Sequence, residues 1–244
     1  KKTCSIFEEY LIKSKFKIVS NFDPIYELKC IKNSTEIKNM INVHIQDGVA
    51  LTKFLYWFKK NKVKISERKI ETKLEKFRKK SRNYLYPSFD TICGSGPNGS
   101  IIHYKSNKNT NRNLKKNDIL LIDSGGQYKW GTTDITRTVC CGKVSNVIKT
   151  NYTRVLKGHI GVIECDLKKK FNGHLVDNLA RKYLKRVGLD YSHGTGHGVG
   201  FFLNVHEGPQ AISKYNTIKF KKGMIVSNEP GYYEKNKFGI RIEN

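Results

Sequence analysis

Apolar residues recur along this chain with two periods. From Asn33 the run NSTEIKNMINVHIQDGVALTKFLYWFKKN carries Ile37, Met40, Ile41, His44, Ile45 and Val49 at helical spacing. Asn33 followed three residues later by Glu36 forms a capping pair at its start. That spacing predicts a long helix whose stripe is core, with His44 a structural histidine rather than a ligand. A second helix is predicted from Ser66, with Ile70, Leu74 and Phe77 inward and its basic face outward. A third runs from about Lys149 to Cys165. A fourth carries Leu175, Leu179, Tyr183, Leu184 and Val187 and ends at Gly188. Each helix pair is followed by strand-like sequence, which suggests a duplicated architecture without a matching sequence repeat. Residues 1–32 read as a helical start (Ile6, Phe7, Tyr10, Leu11) and an extended piece broken at Asp23-Pro24, the tail of a preceding domain plus linker.

The strand-like sequence carries the anomalies. In LIDSGGQYKWGTTDITRT, residues 121–138, Asp123 follows the apolar run ILLI and Asp134 lies in an alternating run. A half-buried carboxylate without a partner costs several kcal/mol or takes up a proton, so something positive is expected beside each. The Gly125-Gly126 pair predicts a short turn joining two antiparallel strands that bring both acids to one spot. Glu229 in MIVSNEPGYY and Glu243 after Ile240, Arg241 and Ile242 repeat the theme of an acid at the end of an apolar strand.

Between them lies YSHGTGHGVGFFLNVHEGP, where glycines alternate around His193 and His197, and His206 follows in a short strand. Such a cluster points to a ligand set. Upstream, Gly94, Gly96, Pro97 and Gly99 make a loop whose backbone can approach another group, but the order GxxxxGK[ST] of a phosphate loop is missing. His103 follows it in a short β run, Ile101 to Tyr104.

Four carboxylates and an imidazole form a hard, oxygen-rich set. They would overload one ion, whereas two ions about 3.5–4 Å apart share bridging carboxylates and a hydroxide. Calcium is the competing structural ion, but an EF-hand-like loop is missing and the ligands are scattered along the chain.

Composition changes this picture little. The 244 residues, 38% hydrophobic, suffice for one large domain. No apolar run reaches the ~18 residues that span a membrane. The net charge of +25 invites a nucleic-acid partner. The lysines are spread widely, densest from Lys59 to Arg82, without an aromatic-interleaved motif, and read as a solvated surface with weak polyanion binding at low salt. Six cysteines without CxxC spacing read as buried reduced thiols of an intracellular protein.

The stretches KNSTEI, GSGPNGSIIHY, LIDSGGQYKWGTTDITRT, VLKGHI, HGTGHGVGFFLNVHEGP, NEPGYY and FGIRIEN, in this order, resemble the catalytic domain of aminopeptidase P, the Xaa-Pro aminopeptidases of the creatinase/methionine aminopeptidase class, most of all the eukaryotic cytosolic form. The resemblance implies an α+β pita-bread fold: a curved, mostly antiparallel sheet flanked by two helix pairs with pseudo-two-fold symmetry. It implies a catalytic domain over 33–244, truncated at the C-terminus.

By position it implies two divalent ions, manganese before cobalt or zinc, held by Asp123, Asp134, His197, Glu229 and Glu243, with Asp134 and Glu243 bridging. His103, His193, His206 and Arg241 match substrate-binding or orienting positions, Arg241 steadying Glu243 or its neighbours. Glu229, His206 and His193 match catalytic ones. The expected reaction is hydrolysis of the N-terminal Xaa-Pro bond in peptides with proline second, by a cytoplasmic homodimer with neither a specific nucleic acid nor a membrane partner. Alternatives are a prolidase-like Xaa-Pro dipeptidase and a non-catalytic pita-bread binding module. Trp130 and Asn228 depart from the family pattern and leave every ligand in place.

Overall fold

The computed structural model describes residues 4–19, 21–61, 65–169, 172–202 and 204–244. Parts of the lysine-dense stretch, residues 62–64, therefore lie outside the described residues, as does Lys1. Helix α3 (Ser34–Asn61) and helix α4 (Glu67–Arg78) form one pair. The capping pair is reciprocal: Glu36 N donates to Asn33 Oδ1 at 2.9 Å and Asn33 N to Glu36 Oε2 at 2.8 Å. The buried face of α3 is Met40, Val43, Asp47, Ala50, Leu51, Phe54 and Phe58, which shares only Met40 with the predicted stripe. Ile41, Ile45 and Val49 are 57%, 61% and 49% exposed. His44 is exposed as well, its Nδ1 at 2.7 Å from Met40 O. The reason is polar: Asp47 lies in the inward face, where it takes Arg78 Nε at 2.6 Å and Tyr128 Oη at 2.7 Å, and counting apolar residues alone turns the stripe away from it.

The second pair is α5 (Asn146–Ile163) and α6 (Gly173–Lys185), capped by Ser145 and Asn172 side chains. α5 begins ahead of the expected Lys149. The inward face of α6 is Val176, Asp177, Ala180, Arg181 and Leu184, while Val187 is exposed. Gly188 has φ +71°, as a helix-terminating glycine requires.

Between the pairs run strands β1 (Tyr84–Pro87), β2 (Ile92–Ser95), β3 (Ile119–Ser124), β4 (Gly126–Tyr128), β5 (Gly131–Thr132), β6 (Ile135–Cys140), β7 (Gly196–Val199), β8 (His206–Ile212), β9 (Gly231–Glu234) and β10 (Phe238–Arg241). Every ladder is antiparallel, in the orders β1-β4-β5, β2-β3-β6, β7-β8 and β9-β10. Further backbone bonds stitch the ladders together. Segment 225–229 lies along β7 through Val199 N to Ile225 O, Ser227 N to His197 O and Glu229 N to Thr195 O. Asn228 and Asn244 exchange bonds, and Glu243 N reaches Thr136 O in β6.

Ile119, Leu120, Leu121 and Ile122 are all buried, each contributing about 2 kcal/mol. They anchor β3 between the helix layers and so fix Asp123.

Several local expectations change. Asp23-Pro24 does not break an extended piece; it starts helix α2 (Pro24–Cys30), with Asp23 Oδ1 accepting from Ile25 N at 2.9 Å and proline in the first turn, where its missing N–H costs nothing. The helical start is α1 (Ser5–Lys13). Gly125-Gly126 is not the turn between the two acids. β3 and β6 pair directly, with Asp123 opposite Thr136, and the residues between them make the β4–β5 hairpin with Trp130 exposed beyond β4. The glycine loop includes β2 and a short 3-10 helix, Gly96–Ser100, and His103 lies in a turn rather than a β run. Glu229 follows an extended segment with a single bridge, Val226 to Gly198, rather than a regular strand. Cys30, Cys93 and Cys141 are buried as expected, but Cys4 and Cys140 are exposed and Cys165 is partly so.

Candidate metal centre

Each helix pair grips the strands that bear the acids. In the first half Arg78, tied to Asp47, donates from Nη2 to Ser124 O at 3.4 Å, next to Asp123. In the second, Arg181 pairs with Asp177 at 2.8 Å and donates to Tyr191 O at 2.6 Å and His193 O at 2.7 Å, while Thr195 Oγ1 donates to Asp177 Oδ1 at 2.5 Å. The glycine-rich segment is thereby pinned to α6 from Tyr191 to Thr195. Gly196 must be glycine, because a Cβ there would lie 1.9 Å from Ser227 O.

These constraints bring Asp123, Asp134, His197, His206, Glu229 and Glu243 together. Three overlapping groups have donor atoms within 4.8 Å of one another: Asp123, Asp134 and Glu243; His197, Glu229 and Glu243; and Asp134, His197 and His206. The groups share members as two adjacent cation sites would. A cavity of about 600 Å³ opens onto them, and His103, His193 and Arg241 also line it.

Arg241 reaches Asp123 Oδ2 from Nη2 at 2.6 Å and Tyr233 Oη from Nη1 at 2.6 Å. It therefore steadies Asp123, whereas Glu243 is held by Thr136 Oγ1 at 2.5 Å. Tyr233 lies 2.8 Å from His193 Nε2, and His193 Nδ1 lies 2.7 Å from Gly194 O. A proton on Nδ1 for the carbonyl leaves Nε2 to accept from the tyrosine, so both ring nitrogens of His193 are engaged within the protein. Tyr233 and Thr136 were not among the residues singled out from sequence. Nothing in YY or in a strand threonine distinguishes them before the chain is folded.

His197 tests whether the site suits a cation. Its Nδ1 lies 2.9 Å from Gly198 O, which assigns the proton to that nitrogen and leaves the Nε2 lone pair outward. That lone pair faces Asp134 Oδ2 at 3.2 Å and Glu229 Oε1 at 3.4 Å. Acceptors facing acceptors at these distances need a proton or a metal ion between them. Asp123 Oδ1, buried and without a hydrogen-bond partner among the described residues, makes the same demand.

The acid–base properties agree. Burial first, then the Glu243 charge, pushes Glu229 up to about 8. Burial, then Asp123 and Glu229, raises Asp134 well above the carboxylate range, and burial, then Asp134 and Asp123, does the same to Glu243. Burial lowers His193 to about 3 and His206 to about 4, so both are neutral at pH 7. Of the two sequence departures, Trp130 does not line the cavity. Asn228 Nδ2 donates to His159 O at 3.0 Å, tying the Glu229 segment to α5.

A strand-borne cluster of this chemistry on two helix-backed halves could hold metal ions, and residues 38–244 match metallopeptidase family M24, to which this chain belongs. Among named proteins it is 48% identical over 236 residues to Xaa-Pro aminopeptidase 1 of Dictyostelium discoideum, covering 93% of this chain and 38% of that protein. It is 47% identical over 238 residues to the probable Xaa-Pro aminopeptidase P of Laccaria bicolor, covering 95% and 37%.

The crystal structure of X-prolyl aminopeptidase from Caenorhabditis elegans, described as a cytosolic enzyme with a di-nuclear active site, superposes with a TM-score of 0.86. It is 36% identical, and the match covers 95% of this chain and 38% of that one. The prolidase from Pyrococcus furiosus gives a TM-score of 0.85 at 28% identity, covering 100% and 70%. The chain thus spans well under half the length of the curated relatives it matches. Its α+β pita-bread fold, with antiparallel ladders between two helix pairs, is that of these neighbours. Among the described residues no helix is long and apolar enough to cross a membrane.

Proposed function

We propose that this chain is the catalytic unit of a two-metal exopeptidase that releases the N-terminal residue ahead of proline. The observation that carries the reading is His197 Nε2 facing Asp134 and Glu229, acceptor against acceptor, beside the partnerless Asp123 Oδ1. Asp123, Asp134 and Glu243 would hold one divalent ion, and His197 and Glu229, with Asp134 and Glu243 shared, the other. Bound there, the ions would lower the pKa of a shared water and polarise the scissile carbonyl.

The chain's own groups do the rest. Glu229, oriented by Ser227 Oγ at 3.0 Å, takes the proton of the attacking water and passes it to the proline nitrogen. His206, neutral and with its ring 3.9 Å from that of His197, faces the cavity and donates to the developing oxyanion. His193 is committed to Tyr233 and Gly194 O, so its part is to position Tyr233 and, through it, Arg241 and Asp123. His103, at the cavity wall, contacts the peptide.

The proline ring nitrogen carries no N–H in the substrate, and a pocket shaped for the ring accounts for the preference. Manganese as the native ion, a homodimeric and cytoplasmic whole protein, and the division into a linker over 1–32 and a catalytic unit over 33–244 belong to the same proposal and rest on resemblance. The oxygen-rich donor set favours manganese.

The test compares an Xaa-Pro-Yaa tripeptide with an Xaa-Pro dipeptide. Cleavage of the tripeptide, abolished by Asp123→Ala, is the expected result. Cleavage of the dipeptide alone would make this a prolidase, and undiminished cleavage by Asp123→Ala would remove the two-metal mechanism.

A further inference from the structure

Lys32 stands between α2 and the Asn33 cap of α3, yet its ammonium is buried on the carboxylate of Glu207, the two side chains being 1% and 4% exposed. Among the described residues it is the only cation in ion-pair contact with Glu207. Its backbone is held too: Lys32 N donates to Gly223 O at 2.9 Å. Gly223 has φ +96°, and a Cβ there would lie 2.8 Å from Lys32 O, so the turn closes directly onto Lys32.

The two anchors of Lys32 lead to different parts of the site. Glu207 follows His206 in β8 and pairs with Gly198, the residue after His197. Gly223 precedes the extended segment 225–229 that ends at Glu229 and is bonded along β7. Around them α2 packs on β8, with the ring of Tyr26 3.5 Å from where a Cβ on Gly208 would sit. A buried ion pair adds little net stability, but it fixes geometry, and losing one partner strands a charge.

We propose that Lys32 is a positioning residue for the reaction. Its ion pair with Glu207 and its bond to Gly223 set His206 and Glu229 relative to each other, making the segment ahead of the catalytic unit part of the active-site scaffold. This rests on the two-metal peptidase reading of the site. It also moves the start of the functional unit back from Asn33 to include Lys32 and α2.

The test uses the metal-loaded protein and three variants: Lys32→Met, Lys32→Arg and the pair Lys32→Met with Glu207→Gln. Displacing a reacting group by a fraction of an ångström costs on the order of tenfold to a hundredfold. Lys32→Met is therefore expected to lose about tenfold or more in kcat on Xaa-Pro-Yaa, with KM and metal content near wild type. Lys32→Arg restores most of kcat. The double variant, which strands no carboxylate, regains the wild-type Tm while kcat stays low.

A double variant with both Tm and kcat at the wild-type level would overturn the proposal, since the pair would then be structural only. The imidazole nitrogen NMR signals of His206 give a readout independent of turnover. They shift in the double variant, and unchanged signals would equally overturn it. If Lys32→Met fails to fold, Lys32→Arg and the double variant carry the comparison. A wild-type protein inactive on Xaa-Pro peptides would defeat the functional reading, while the His206 signals would still decide the role of Lys32.

Discussion

Chelating the metals empties a site built to hold cations, and raising the pH from 6.5 to 8 then removes the protons its carboxyls hold in their place, so the chain should lose stability. In the metal-free chain Glu229 titrates at about 8, far above an ordinary glutamate, because burial and Glu243 oppose its charge. The folded state therefore holds a proton that the unfolded state has already released, and stability falls as pH rises. The penalty is absent below the unfolded value near 4.5 and complete above the folded one.

His193 and His206 act with the opposite sign, since the unfolded chain protonates them below about 6.5 and the folded chain only near 3 and 4. Above pH 6.5 they drop out and the carboxylates act alone. Over pH 6.5 to 8 Glu229 accounts for about 2 kcal/mol, and Asp134 and Glu243, also raised, add in the same sense. For a chain of this size that lowers Tm by roughly 4–8 °C. Metal at a hundredfold over Kd restores about 2.7 kcal/mol per site. The assay is thermal melting with EDTA and with saturating metal at both pH values. A melting temperature indifferent to EDTA at pH 8, or a chelated protein with a flat profile, would refute the reasoning.

Two substitutions test separate parts of the account. His206→Gln should reduce kcat by about 10²–10³ while KM and metal content stay near wild type, as expected for a group that acts in the transition state; a loss confined to KM would reassign it to ground-state binding. Arg78→Met leaves Asp47 buried without its guanidinium and should cost about 3–5 kcal/mol in denaturant unfolding, against which a loss below about 1 kcal/mol would show that Tyr128 alone satisfies the carboxylate.

The site was more legible in the sequence than the fold that carries it. Asp123, Asp134, Glu229 and Glu243 stand out because acids beside apolar runs violate the ordinary pattern, and His193 and His197 stand out together because glycines clear the space around both, the choice of His197 as ligand coming from the family resemblance. These anomalies are local and survive without coordinates. What failed depended on partners far along the chain. The α3 stripe was misplaced because Asp47 is inward only once Arg78 and Tyr128 are there to receive it.

Other features were hidden for the same reason. The β4–β5 hairpin between the first two acids is hidden in the sequence because β1, far upstream, pairs with β4, Tyr84 opposite Tyr128, and draws it into a separate ladder. Lys32 closes the residues 1–32 that read as tail and linker, and only its enclosure between Glu207 and Gly223 distinguishes it from the other lysines there. Asp23-Pro24 was legible but misread, since an acid before proline starts a helix as readily as it interrupts a strand.

The proposed mechanism stands on two cations among Asp123, Asp134, His197, Glu229 and Glu243. Elemental analysis of the purified protein after dialysis against manganese, joined to anomalous scattering from its crystals, measures that directly. Two ions per chain, both lost in Asp134→Ala and Glu243→Ala because those residues are shared, is the predicted result. A single ion per chain at saturation, or two ions retained by both variants, would contradict it.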